Sequence, residues 1–84
     1  MKNTELLLES VFQTNDLSLA TVISLYYPIE AIDKTNPHKV IFLFKRKEGL
    51  DGLVETYWRR DLTIEPQALF QQLRTLKTRL YGER

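Results

Sequence analysis

The sequence predicts a small α+β fold, in which an antiparallel β-hairpin or small sheet packs against three to four helices in the order α-α-β-β-α-α. Three observations lead to this prediction. The chain has 84 residues, which suits one domain spanning residues 1–84. Residues 40–44 are a run of β-branched and aromatic side chains without a breaker. Several segments repeat apolar residues at helical spacing and stop at Pro or Gly.

The first predicted element covers residues 4–12. Leu7, Leu8, Val11 and Phe12 are spaced to share one helical face. The same spacing also suits a short strand. We assign a helix here and keep the strand as the alternative.

A second helix is predicted over residues 16–26. Its apolar residues recur at i, i+3, i+4 and i+7. Thr14 or Asn15 is expected to cap it, and Asp16 suits the positive end of its dipole. Pro28 ends it, because the residue before proline is pushed out of helical geometry. The predicted buried stripe is Leu19, Val22, Ile23 and Tyr26.

A hairpin follows, with a short first strand from residue 29, a loop around Asn36 and Pro37, and a second strand over residues 40–44. Alternation places Phe42 and Phe44 on one face of the second strand, and Ile41 and Leu43 on the other. We expect both phenylalanines in the core. If helices cover one face only, the other face is an apolar patch open to a partner.

Two more helices are predicted in the second half of the chain. One runs over residues 50–60 after the turn at Gly49, and the last begins at Pro66 and ends at Gly82. Between them, alternating Leu62 and Ile64 suggest a short extra strand near Thr63. The buried stripe expected on the last helix is Leu69, Phe70, Leu73, Leu76 and Leu80.

The composition argues against catalysis. The chain has no cysteine, which excludes disulfides, thiolate zinc sites and iron–sulfur clusters. Its one histidine, His38, lies in the predicted hairpin loop, where a general base would lack a positioning partner. Acids at 48, 51 and 55 match no metal-binding spacing and suit the start of a helix. We expect no enzyme activity, no catalytic residue, no metal and no cofactor.

The expected compartment is the cytoplasm. No apolar run approaches the length of a membrane span, and the first residues lack the apolar core of a secretory signal. We therefore expect no membrane partner.

The formal charge of +1 conceals alternating blocks along the chain. Residues 1–33 carry one base and five acids, whereas residues 34–47 carry five bases and no acid. Residues 48–65 carry two bases and five acids, and residues 66–84 carry four bases and one acid. The two positive blocks form one basic surface only if the fold places them on the same face of the molecule. The alternative is that positive and negative blocks alternate around a solvated surface and neutralise one another.

The positive blocks contain the candidate nucleic-acid contacts. Bases at both ends of an aromatic strand are typical of single-strand binders, and a basic stripe on the last helix can follow a phosphate backbone. The alternatives are protection of a sheet edge by lysines and the solvated side of an amphipathic helix. The candidate residues are Lys39, Lys45, Arg46, Lys47, Arg74 and Lys77, with Tyr81 on the stripe of the last two.

Four residues are candidates for a protein interface. Ile41 and Leu43 become available if their side of the sheet is uncovered. Trp58 lies at the border of its helical face, beside Arg59, and these two residue types dominate binding energetics. The alternative is a packed tryptophan next to solvated arginines.

From residue 11 to 82 the chain resembles an uncharacterised family of small bacterial and phage proteins. The matching motifs are core and cap patterns, and the resemblance implies a setting in phage or other mobile DNA. No activity and no functional residue follow from it. The motifs are Phe12-Gln-Thr14-Asn-Asp16-Leu17-x-Leu19-Ala20, Val40-x-Phe42-x-Phe44, Leu53-Val54-x-x-Tyr57-Trp58, Ile64-x-Pro66-x-x-Leu69-Phe70 and Leu73-x-x-Leu76-Lys77-x-Arg79-Leu80-Tyr81.

Two functions remain open at this point. The first is a small accessory protein of a phage or mobile element that binds nucleic acid through the basic strand exit and the last helix. The second is a protein–protein interaction module, either a homodimer or a subunit or inhibitor of a larger complex.

Overall fold

The computed structural model describes residues 10–82 and confirms the α+β class. Three helices and a three-stranded antiparallel sheet occur in this part of the chain. The elements follow in the order β-α-β-β-α-α. They are β1 (Val11–Thr14), α1 (Leu17–Ser24), β2 (Ile29–Asp33), β3 (Ile41–Lys45), α2 (Leu50–Trp58) and α3 (Pro66–Gly82).

The predicted order α-α-β-β-α-α is wrong at its start. Val11 and Phe12, assigned to a first helix, lie in strand β1, and the rest of that predicted helix falls outside the described residues apart from Ser10, which lies in a turn. The strand forms because β1 pairs with β3, about thirty residues away, and local spacing carries no sign of that pairing. The extra strand near Thr63 is also wrong, since residues 61–65 have no regular structure.

The predicted hairpin is confirmed, and β3 is the middle strand of the sheet. The strand order is β1-β3-β2, with both neighbours antiparallel to β3. Phe44 lies opposite Phe12 on one side and Ile29 on the other. A register shift between Ile29 and Ala31 marks a bulge in β2.

One face of the sheet carries the core. Phe42 is 2% exposed and Phe44 is fully buried, so the expectation that both rings are core residues is confirmed. The helices all contribute to the same cluster, which buries the apolar stripe of each against the sheet. The buried members of the cluster are Leu19, Ala20, Ile23, Phe42, Phe44, Leu50 and Leu76.

Helix α1 is capped by Asp16, one residue after the caps expected from the sequence. The Asp16 Oδ1 atom accepts a hydrogen bond from the Leu19 amide at 3.2 Å, and Thr14 Oγ1 accepts from the Asp16 amide at 3.0 Å. Thr14 therefore shapes the turn and Asp16 satisfies the first free amide. The helix ends at Ser24, so Tyr26 lies beyond it and is exposed instead of buried.

Helix α3 runs antiparallel to α1 and has the bounds predicted from Pro66 and Gly82. Gln72 Nε2 donates to Ser24 Oγ at 3.0 Å near one end of the pair. Leu76 is the fully buried member of its stripe, and Leu69, Leu73 and Leu80 are half-buried. Phe70, predicted to be buried, is 55% exposed, because it lies at the margin of the apolar stripe.

Within residues 10–82, no helix is both long and apolar enough to span a membrane.

Candidate nucleic-acid interface

The hairpin loop and the C-terminal end of α3 meet around a groove of about 430 Å³. The loop between β2 and β3 forms one wall, and the last turn of α3 forms the other. Residues at the N-terminal end of α1 complete the lining of the groove. The lining residues are Asn15, Leu17, Lys34, Pro37, His38, Lys39, Val40, Phe42, Leu80 and Tyr81.

Lys34 joins the two walls. Its ammonium group donates to the backbone carbonyl of Arg79 at 3.0 Å and to that of Leu80 at 3.4 Å. These carbonyls lie in the last turn of α3, where the helix dipole concentrates negative charge. Lys34 therefore fixes the helix end against the hairpin and offsets its negative potential beside the groove.

Two side-chain-capped turns shape the loop wall. Asp33 Oδ1 accepts from the Thr35 amide at 2.9 Å, and Asn36 Oδ1 accepts from the His38 amide at 2.9 Å. The hydrogen bonds from the Thr35 side chain and backbone hold the pKa of Asp33 below its usual range. The Lys39 amide donates to the Asn36 carbonyl at 3.0 Å. This tight path places His38 and Lys39 at the rim of the groove.

Lys34 and Lys39 of the first positive block line this groove, whereas none of the described bases of the second block does. Lys39 lines it and is exposed. Lys77 is exposed one helical turn before Tyr81, and Arg74 lies about 10 Å from Tyr81 along the same stripe of α3. Among the described residues that line the groove, none is acidic.

The other three basic candidates lie at the opposite end of β3. Lys45 is six residues beyond Lys39, which places it about 20 Å away along the strand. The Arg46 guanidinium forms an ion pair with Asp51 and lies over the Phe12 ring, 5.7 Å from its centroid. Lys47 is exposed in the turn before α2. The fold thus divides the basic candidates between two ends of the sheet.

The candidate protein-interface residues also lie on different surfaces. Ile41, Leu43 and Val11 are half-buried on the sheet face opposite the core, and Ala31 is exposed on the same face. No helix of residues 10–82 packs on that face, which we call the open sheet face. It is rimmed by Gln13, Asp33 and Lys45.

Trp58 and Arg59 lie in the helical layer instead. The Trp58 side chain is 60% exposed and meets the Tyr57 ring edge to face, with the centroids 5.0 Å apart. Arg59 Nε lies 3.4 Å from Asp61 Oδ2. Trp58 is therefore neither packed in the core nor adjacent to the open sheet face.

A second, apolar groove of about 280 Å³ lies between the three helices. Burial, with a smaller contribution from the charge of Asp16, raises the pKa of Tyr57. This groove was not predicted from the sequence, because its walls come from three separate helices. Its lining residues are Ser18, Thr21, Val22, Tyr57, Leu69, Phe70 and Leu73.

Sequence reasoning missed two parts of the interface. Lys34 was counted only as a charge, and Asn15 only as a cap, yet both line the groove. Their positions depend on contacts between residues more than forty positions apart, such as Lys34 with Arg79. In the described part of the chain, no group of three or more His, Asp or Glu side chains could hold a metal ion.

Comparison with known proteins places the chain in a family. No curated protein and no solved structure matches it. Residues 9–82 match the family model described as a domain of unknown function, DUF5659. This match covers most of the chain and agrees with the resemblance to an uncharacterised family. The chain therefore belongs to the DUF5659 family.

Proposed function

We propose that this chain is a non-enzymatic accessory protein of a phage or other mobile element, and that it binds nucleic acid at the groove between the hairpin loop and α3. One observation carries the proposal: Lys39 of one positive block lines the groove together with Tyr81, and Lys77 of the other block is exposed on α3 one helical turn before Tyr81. The mobile-element setting is supported by the sequence resemblance alone.

Lys39, Lys77 and Arg74 provide the phosphate contacts in this proposal. Lysine and arginine at exposed positions bind phosphates chiefly by charge, and the contact releases condensed counterions. Lys34 acts differently, because its ammonium already donates to the α3 carbonyls. It lowers the repulsion that the end of the helix would exert on a phosphate. A chain with a net charge of +1 thereby presents a locally positive surface.

Charge reversal at the groove tests this proposal. We expect Lys39→Glu with Lys77→Glu to weaken binding of a fluorescein-labelled thymidine 20-mer at least tenfold in fluorescence anisotropy. With about three phosphate contacts, affinity for a single strand should fall with a log–log salt slope near −2, and the variant should lose more than half of that slope.

The matched control is Lys45→Glu with Lys47→Glu at the other end of β3. It changes the net charge by the same amount, but lies about 20 Å from Lys39, beyond the screening length of about 8 Å in physiological salt. We expect a loss of less than about threefold. Equal losses in both variants, or no salt-sensitive binding by the wild type, would contradict the proposal.

The open sheet face supports a second candidate function, protein–protein interaction by self-association. Val11, Ala31, Ile41 and Leu43 form an apolar strip that no described helix covers, with Lys45 opposite Val11 and Gln13 opposite Leu43. The strip spans three short strands, well short of the twenty to thirty residues that each partner of a stable complex contributes. A homodimer through this face should therefore be weak.

Native mass spectrometry at about 100 µM protein checks this second function. Leu43→Lys should abolish any dimer, because it places a charge at the centre of the strip. Gln71→Lys, at an exposed position of α3, should leave the dimer intact. A wild-type chain that is entirely monomeric would count against self-association.

A further inference from the structure

We propose that the groove accepts one unpaired base of a single-stranded nucleic acid, with the base stacked on Tyr81. This inference rests on the proposed function and adds the class of ligand to it. It goes beyond phosphate binding, because phosphate groups would need only the lysines at the rim and would not use the interior of the groove.

The interior of the groove differs chemically from its rim. Among its lining residues, Leu17, Val40, Phe42 and Leu80 are buried or half-buried and form the interior, whereas Lys39 is exposed and forms part of the rim. A phosphate gains nothing from an apolar floor, because it would lose its hydration there. A flat nucleobase gains from that floor, and its own phosphates remain outside beside the lysines.

Tyr81 has the position expected of a stacking residue. Its side chain lines the groove and is 69% exposed, so one face of the ring is available. Lys34 holds the preceding turn of α3 through the Arg79 and Leu80 carbonyls, and this anchors the backbone beneath the ring. Aromatic rings on anchored elements are the usual platforms for unpaired bases.

The shape of the groove selects single strands. Its apolar floor lies between the two walls, and an intact duplex keeps its bases stacked inside the helix. A duplex would contact the lysines but leave the apolar floor in water. A single strand can fill the floor with a base without an unpairing cost, so we expect it to bind more tightly than a duplex of the same length.

Asn15 adds a polar group to this apolar site. Its side-chain amide lines the groove and offers both a donor and an acceptor. Such an amide can pair with the edge of a base, so the site should favour a base over a flat hydrocarbon of equal area.

The first experiment compares two fluorescein-labelled ten-nucleotide strands by anisotropy. One is a thymidine strand, and the other carries abasic sites throughout, so that both have the same phosphates. We expect the wild-type protein to bind the thymidine strand at least tenfold more tightly, because stacking of each base contributes that much or more. A ten-base-pair duplex should bind less tightly than the thymidine strand.

The second experiment removes the stacking residue. Tyr81→Ala should weaken thymidine binding about tenfold, leave abasic binding unchanged and keep the salt slope, whereas Tyr81→Phe should retain the affinity. Tyr26→Ala is the matched control, because that tyrosine is also exposed but lies outside the groove. Circular dichroism melting of each variant verifies that α3 is still folded.

The outcomes separate the two proposals. Equal, salt-sensitive binding of thymidine and abasic strands would overturn base insertion and leave phosphate binding standing. Failure of the wild type to bind any strand would overturn the proposed function itself. A Tyr81→Ala variant that is folded and binds thymidine as tightly as the wild type would also overturn base insertion.

Discussion

At the scale of single residues, Gly49 sets the turn that leads from the sheet into α2. Its φ of +91° lies in the left-handed region, and a Cβ placed there would lie 2.7 Å from Tyr27 Oη. The Tyr27 hydroxyl donates to the Glu48 carbonyl at 3.0 Å, so it is held near the turn. Both the backbone angle and the close approach require glycine.

Replacement of Gly49 by alanine should therefore lower the free energy of unfolding by about 2 kcal/mol. Gly52 is the matched control, because it lies in α2 with no atom within 4 Å of an added Cβ. Gly52→Ala should raise stability by about 0.5 kcal/mol, since alanine is the better helix former. Urea unfolding measures the change in the free energy of unfolding of each variant. A change of the same sign in both would contradict the conclusion that position 49 requires glycine.

Helical spacing alone correctly predicted buried residues such as Leu19, Ile23 and Leu76, but not every residue on its stripes is buried. Phe42 and Phe44 alternate within a run of strand formers, and both are buried. Phe70 had helical spacing alone, and it is exposed because its position on α3 is rotated away from Leu76. Helical spacing shows which side of a helix is apolar. It does not show how much of that side the neighbouring elements cover.

At the scale of elements, the C-terminal end of α2 carries an unusual residue. The Arg60 amide donates to the Tyr57 carbonyl and the Asp61 amide to the Thr56 carbonyl, at 3.0 and 3.1 Å. This is the Schellman pattern, in which glycine normally takes the left-handed position. Here that position is Arg60, with a φ of +64°.

Arg60→Gly should therefore stabilise the protein by about 1 kcal/mol, because it removes the steric cost of a left-handed residue with a Cβ. Arg59→Gly should instead destabilise it by about 0.5–1 kcal/mol, since Arg59 has a right-handed helical backbone. Thermal unfolding of both variants measures the contrast. A destabilising Arg60→Gly would show that its side chain contributes more than its backbone strain costs.

Elements with their own start and stop signals were predicted correctly. Pro66 and Gly82 bound α3 as expected, and α2 begins at Leu50 after Gly49. Strand β1 was predicted only as the alternative to a helix, because four residues at a sheet edge take their conformation from a partner strand. The structure of such a short segment depends on long-range pairing that the local sequence does not encode.

At the scale of the whole molecule, α3 is attached to the core chiefly through Leu76, its one fully buried residue within the described part of the chain. An 84-residue chain has a stability of only about 4–13 kcal/mol. A cavity at Leu76 would also loosen the proposed groove, because the end of α3 forms one of its walls.

Leu76→Ala should lower the free energy of unfolding by about 3 kcal/mol, through lost burial and the cavity it leaves. Leu73→Ala, at a half-buried position one turn earlier, should cost about half as much. Urea unfolding with comparison of m-values measures both. A Leu76 variant no less stable than the Leu73 variant would contradict the anchoring role of Leu76.

The sequence predicts which types of residue the candidate site contains, but not where in the fold those residues lie. The charge blocks singled out Lys39 and Lys77, and they equally singled out Lys45, which lies at the other end of β3. The contact between Lys34 and the end of α3 distinguishes the Lys39 end of β3 from the Lys45 end, because it brings α3 next to Lys39 and not next to Lys45. Contacts of that sequence separation leave no pattern in the composition of either segment.

The central position of β3 has a consequence for how the chain assembles. Strands β2 and β3 are joined by the short loop of residues 34–40, whereas β1 and β3 are separated by α1 and all of β2. Loop closure favours the short connection, so the hairpin should form first and β1 should add to its free edge after α1 has folded. Strand β1 would thus be the last to join the sheet and the first to exchange its amide protons with solvent.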